Sequence, residues 1–467
     1  MKVVTKNVLL RVILLIIGIA FILTGCATVS DVTNKDGSKV YFDDLQYFEG
    51  QIAVIGDYIY FGNSFTASDS EDFDYDLAAD TGYLARINVS QNLVYNRDED
   101  EDGYVNPSPE GVEIVVKDRL IGYQNQNMFA LGEYLYFTSA NTHRTSSLEN
   151  DYTMVSLFRV KFNGDKLQEI DTFRYDENSI ITVQKGSDDN YYYIIYAPTT
   201  SEAESYNLYS IRIGNRIGET TTLVEDANSV AVCDENSTIK NVVYTIDSDR
   251  TEQETTAVRA IDFATGENDE SYENNNDVVR TQTTLLGRVG DIVIYSYTNQ
   301  NTVQEIYYKD LVNDDKYFSG ARKFYDAKEI SSIKQVGDGY IFIPDRNSSV
   351  MYKSSLNSSQ EPVNILTSSD YTDILFVDGD YIYYSNSTSI SRKSVRTSQS
   401  QTLVTMTDIQ SGQCGYDGEY IYFYAKLESN EDSEDSETTS TDENYYMFRV
   451  DKTGENIELL SKVEKPQ

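Results

Sequence analysis

The chain has 467 residues, 38 basic and 76 acidic, for a formal charge of −38, with 39 Tyr, 18 Phe, no Trp and one His. So acidic a surface excludes nucleic acid as a partner, because binding to phosphate backbones is driven by Lys and Arg. One histidine leaves no room for His-rich zinc chemistry, and the low Pro, abundant Thr, Ser, Asn and Asp and short aromatic runs argue against a helical protein.

Residues 1–25 form the first element. Lys2, Lys6 and Arg11 precede an uncharged apolar run, VILLIIGIAFIL, which ends at Leu23-Thr24-Gly25-Cys26. A basic n-region followed by an apolar h-region is a signal peptide. The last four residues resemble the bacterial lipobox, where small residues before the cysteine admit a lipoprotein signal peptidase and the thiol receives a diacylglycerol. The expectation is a cleaved signal over 1–25 and a lipidated Cys26, placing the rest of the chain outside the cytoplasm and anchored to the cell membrane. The alternative is an uncleaved anchor, but the uncharged stretch is short of the ~20 residues a spanning helix needs. Residues 26–48 read as the lipidated cysteine and a polar tether, since 27–39 has no hydrophobic period. Removing 1–25 takes away three basic residues and no acid, leaving 35 against 76 and a formal charge of −41. Colloidal solubility outside the cell is the ordinary reason for such a charge.

From residue 49 to 467 one segment recurs: 56–61 (GDYIYF), 132–137 (GEYLYF), 189–194 (DNYYYI), 290–295 (GDIVIY), 338–343 (DGYIFI), 379–384 (GDYIYY) and 418–423 (GEYIYF). The gap of 101 residues between the third and fourth copies is two repeats wide and holds a degenerate member at 241–246 (NVVYTI), which makes eight. In five of the copies Gly-Asp or Gly-Glu supplies a tight hairpin turn before the run. The run itself is apolar or aromatic at consecutive positions, so both faces of that strand are expected to be buried. A looser third strand follows (LARI at 84–87, LFRV at 157–160, LYSI at 208–211, MYK at 351–353, MFRV at 447–450), and then a fourth, as at 167–173 or 457–460. Repeats of about 40 to 55 residues with four strands each predict an all-β propeller of about eight blades, with seven as the alternative.

The repeat GEYIYF…MFRVDKTGENIELL resembles those of envelope-associated bacterial propellers of unknown function, which are distantly similar to the YWTD-type propellers of lipoprotein receptors. The resemblance covers 52 to about 463, and blade 1 departs from it through long insertions. It implies architecture and a binding role, and it brings no catalytic residue with it.

The long connections 62–82, 138–152, 197–206, 247–256 and 425–444 all fall between second and third strands, so their tips are expected on one face, the usual ligand face of a propeller. Two are strongly acidic: 62–82 carries Asp69, Glu71, Asp72, Asp74, Asp76 and Asp80, and 425–444 contains EDSEDSE. One further stretch has calcium-type spacing. Asp98, Asp100, Asp102 and Asn106 fall at positions 1, 3, 5 and 9 of a loop with Gly103 at the sixth, and the Tyr104 carbonyl stands at the seventh. The bidentate Glu of an EF-hand is absent, since Pro109 stands there, so this is a candidate calcium site of low affinity or a solvated acidic turn.

His143 lies in a polar loop, and any Ser-His-Asp or Cys-His mechanism would have to be built around it. No CxxC, P-loop or dinucleotide fingerprint occurs. Cys233 and Cys414 are expected on the innermost strands of the fourth and eighth repeats, too far apart across a channel to bridge. The functional reading is a membrane-tethered binding or scaffold propeller for an envelope protein or wall polymer. A carbohydrate-active enzyme, which needs only two well-placed carboxylates, is the alternative.

Overall fold

The computed structural model describes residues 31–462 apart from 34–36, 49, 67–81, 92, 96–110, 121–127, 141–153, 177, 201–204, 248–255, 270–282, 299–303, 314–321, 327–329, 337–338, 345–349, 355–362, 368–369, 372 and 428–443. No helix occurs among the described residues, and the strands form eight antiparallel sheets. Taken as blades 1 to 8, these occupy 52–120, 129–174, 180–224, 229–261, 283–326, 330–367, 373–405 and 410–459. Seven blades have four strands in sequence order from the channel outward. Blade 4 shows three, with a rudimentary fourth where Asn268 bridges to Ile261.

Every recurrent run found in the sequence is a second strand, including the degenerate member, which lies in Val242–Asp247. The consecutive apolar positions are explained by burial on both faces: Ile59, Tyr60 and Phe61, like Ile421, Tyr422 and Phe423, are fully buried. Each core cluster takes its residues from two neighbouring blades. Ile194 and Tyr196 of blade 3, for example, pack with Val242 and Tyr244 of blade 4. One such cluster joins blades 1 and 8 through Ile59, Phe61, Tyr422 and Tyr424, which closes the ring. The hairpin turns behave as their glycines predict. Gly379 has φ 55°, a left-handed value costly for any residue with a Cβ, in the two-residue turn between Asp378 and Tyr381.

Both tyrosines of the Tyr-x-Tyr pattern serve one device. The second Tyr of the run pairs across strands with an Arg on the third strand in blades 1, 2, 7 and 8 (Tyr60 with Arg86, Tyr136 with Arg159, Tyr383 with Arg392, Tyr422 with Arg449). The first Tyr lies under the guanidinium: Tyr58 under Arg86 at 4.3 Å, Tyr134 under Arg159 at 4.3 Å and Tyr420 under Arg449 at 4.1 Å. Such stacking suits a buried guanidinium, which is costly unless its donors are met. Glu113, Gln168, Gln401 and Glu458 of the same blades meet some of these donors, and in three of the four the next blade meets another. Arg86 Nη1 donates to Phe162 O at 3.2 Å, Arg159 Nη1 to Gly214 O at 2.5 Å and Arg392 Nη1 to Lys452 O at 2.7 Å, each acceptor being the first residue past a third strand. Blades are therefore stapled to one another as well as packed.

Among the described residues no blade takes strands from both ends of the chain. Closure comes from two insertions of blade 1. Phe65–Thr66 pairs with Asn444 and Tyr445 of blade 8. Leu93 and Tyr95 bond to its outer strand through Leu459 N to Leu93 O (2.8 Å) and Tyr95 N to Ile457 O (2.7 Å).

Candidate functional site

Antiparallel blades fix which connections share a face. Those between first and second strands and between third and fourth strands lie on one side, here called lower; those between second and third strands lie on the other, called upper. The five connections singled out in the sequence leave the upper ends of second strands, at Asn63, Ala140, Pro198, Asp247 and Ala425, and return at Tyr83, Met154, Tyr206, Thr256 and Asn444, whereas two further long ones, 89–112 of blade 1 and 311–321 of blade 5, join third to fourth strands on the lower side. The loop interiors fall outside the described residues. What the structure adds is adjacency. The two acidic connections belong to blades 1 and 8, neighbours at the seam, and their stems are joined by the Phe65–Thr66 pairing. Tyr424 Oη donates to Gly62 O at 2.8 Å, and Lys462 N to Asn63 Oδ1 at 2.8 Å. Ser461 Oγ accepts from Met447 N at 2.7 Å and from Ser64 N at 3.3 Å.

The lower face carries a groove of about 600 Å³ between blades 4 and 5, lined among others by Asn236, Thr238, Asp291, Asp310 and Asn313. Both aspartates are occupied. Burial pushes the Asp291 carboxyl up, but donors from Thr238 and Ile239 and the Arg288 guanidinium outweigh it and hold the group below the usual carboxylate range. Asp310 is held down in the same way, against burial, by the Asn313 side chain and the backbone N–H groups of Asn313 and Val312. Every described carboxylate whose proton affinity is shifted is shifted downward. A glycosidase acid needs the opposite shift. Neither groove aspartate shows that upward shift.

The N-terminal segment crosses the lower face. Val32 and Val40 are buried against blades 1 and 2. Asp31 accepts from Lys39 (2.9 Å) and from Asn163 Nδ2 (2.8 Å), the latter on the lower turn of blade 2. Gly56 makes room: a Cβ there would stand 3.2 Å from Val32 Cγ1. Phe42–Tyr47 then forms a strand antiparallel to Phe129–Gly132, the innermost strand of blade 2, with Phe42 opposite Gly132 at the lower end and Tyr47 opposite Phe129 at the upper. The chain thus climbs the channel from lower to upper face before blade 1 begins at Ile52. Tyr191 of blade 3 steadies it, donating to Asp44 Oδ1 at 3.0 Å and accepting from Leu45 N at 3.2 Å. Part of the stretch that reads as tether in the sequence is therefore folded onto the propeller.

Cys233 is free and buried, one residue beyond the innermost strand of blade 4 rather than on it, and burial pushes its thiol up to about 11. Such a thiol is inert at neutral pH. Cys414 lies in Gln410–Tyr416, the innermost strand of blade 8, on the opposite side of an eight-membered ring.

Cys26, Asp98, Asp100, Asp102, Tyr104, Asn106 and His143 lie outside the described residues. The stem of the calcium-type loop is placed, however: Tyr95 is buried edge-on against Phe448 at 5.2 Å, so the loop departs from the outer edge of blade 8. Among the described residues no group of three or more His, Cys, Asp or Glu is placed to hold a metal ion.

No protein-family model matches the chain, and no curated protein matches it. Solved structures that resemble it include the Dos1 propeller, with TM-score 0.42, 11% identity and coverage of 88% of this chain and 93% of that one. A puromycin-hydrolyzing peptidase of Mycobacterium tuberculosis gives 0.41 and 11%, covering 72% and 53%. An uncharacterised protein of Listeria monocytogenes EGD-e gives 0.39 and 11%, covering 72% and 93%. The chain spans about half the length of the peptidase it resembles. The ring of eight blades follows from the strand pairing within the chain itself.

Proposed function

We propose that the chain is a lipid-anchored extracytoplasmic propeller that binds or scaffolds an envelope protein or wall polymer through its upper face. The observation that carries this reading is the separation of roles between faces. The two acidic connections of blades 1 and 8 open side by side on the upper face, while the described chain enters at Asp31 on the lower one. Repeat folds commonly bind through inserted loops clustered on one face. The membrane link is supported by the Leu23-Thr24-Gly25-Cys26 lipobox resemblance, and two acyl chains suffice for stable attachment.

A binding role predicts that isolated wall glycan incubated with the purified protein stays chemically intact. No soluble oligosaccharide or new reducing end appears over hours, consistent with carboxylates held ionised by their donors. Time-dependent release of oligosaccharide, abolished by heating the protein, would contradict a purely binding role and move the assignment to a carbohydrate-active enzyme.

A further inference from the structure

We infer that the lower face of the propeller is apposed to the lipid bilayer, held by a leash too short for the disc to turn over. The inference rests on the lipid anchor proposed above and adds the orientation. From Cys26 to Asp31 there are five residue steps, which extend to at most ~18 Å. From Asp31 onward the chain is committed to the fold by its contacts with Lys39 and Asn163, by buried Val32 and Val40, and by the strand in the channel. The disc is thicker than the leash is long: the second strand of blade 3, Tyr191–Pro198, spans roughly 26 Å at 3.3 Å per residue. The upper face cannot reach the headgroups on such a leash. Were 31–50 not docked, the reach from Cys26 to Gln51 would approach ~85 Å, and either face could meet the membrane.

A second observation points the same way. Five large apolar or aromatic side chains are exposed among the described residues, and three of them sit at the lower face. Tyr41 lies beside the Gly132 turn, Val312 just past a third strand, and Tyr381 at the start of a second strand. Tyrosine is the side chain that suits a membrane interface, with its ring in the apolar boundary and its hydroxyl in water.

The test uses the lipidated protein in vesicles containing an acceptor-labelled lipid, with a donor dye on one of two positions in blade 3. Asn215 is exposed on the lower face and Thr200 on the upper. Asn215→Cys and Thr200→Cys are each made with Cys233→Ala and Cys414→Ala, leaving Cys26 to carry the lipid. Energy transfer from position 215 is expected to exceed that from 200 by about twofold or more, given the ~26 Å between the ends of that blade. A ten-residue Gly-Ser insertion between Val29 and Ser30 leaves the fold untouched and is expected to erase most of the difference. Val32→Asp with Val40→Asp, which undocks the segment, acts in the same direction. Equal transfer from both positions with the native leash, or stronger transfer from 200, overturns the orientation alone. Protein that fails to float with the vesicles overturns the anchor and this inference with it.

Discussion

With the proposed lipid anchor, Cys26→Ala is expected to leave a folded propeller in the soluble fraction. At about 0.8 kcal/mol per buried methylene, one acyl chain binds a membrane marginally and two bind it stably, so losing both removes the attachment. The substitution lies five residues before the first docked contact, Asp31 with Lys39, so the thermal midpoint is expected to stay where it was. Detergent phase partition reads the result: nearly all protein in the detergent phase for the native sequence and nearly all in the aqueous phase for the variant. Variant protein that stays in the detergent phase contradicts lipidation, and resistance to an alkaline wash as well identifies 12–25 as an uncleaved anchor.

Arg86→Leu is expected to cost about 2–4 kcal/mol of stability, among the larger effects of a single change outside the apolar core. Its guanidinium is fully buried and bonds to Tyr60 Oη, Phe162 O and Glu113. Leucine fills part of the space but offers no donors. Tyr60 Oη retains its 2.7 Å bond to Phe162 O, which keeps the loss below that of a fully orphaned pair. Glu113 is 39% exposed and recovers water, so Glu113→Gln costs much less than the loss of the arginine. Denaturant titration of Arg86→Leu, Tyr60→Phe and the double variant measures the coupling, expected at about 1 kcal/mol or more. A change under about 0.5 kcal/mol for Arg86→Leu would show that the staple between blades 1 and 2 adds nothing to packing.

The repeat made most of the fold legible. A strand buried on both faces must be apolar throughout, and Tyr381 to Tyr384 or Tyr420 to Phe423 betray such a strand without any alignment. Even the degenerate Val242–Asp247 is found by the doubled spacing around it. A Tyr-x-Tyr run precedes LARI, LFRV and MFRV in the sequence, but the Tyr–Arg staple and the register that joins Tyr60 to Arg86 emerge only from the paired strands. The N-terminal strand gave no such signal. FDDLQY has no alternation, most of its side chains face water in the channel, and its partner lies some 85 residues on, so local pattern could not show it. Ring closure was hidden for the same reason. Leu93 and Tyr95 read as loop because what orders them is the edge of blade 8, 360 residues away in sequence. Loops 62–82 and 425–444 could be assigned to one face from their place in the repeat, whereas their adjacency required the closed ring.

The central claim is that the upper face meets the partner while the lower face meets the membrane. Site-specific photo-cross-linking in the native envelope tests it most directly, with the reactive side chain at Thr200 or Thr388 above, or at Asn215 below, all exposed. The account predicts one defined protein or wall-polymer adduct common to both upper positions and absent from Asn215, which instead captures lipid. An adduct formed only from Asn215, with nothing captured at Thr200 or Thr388, would contradict it.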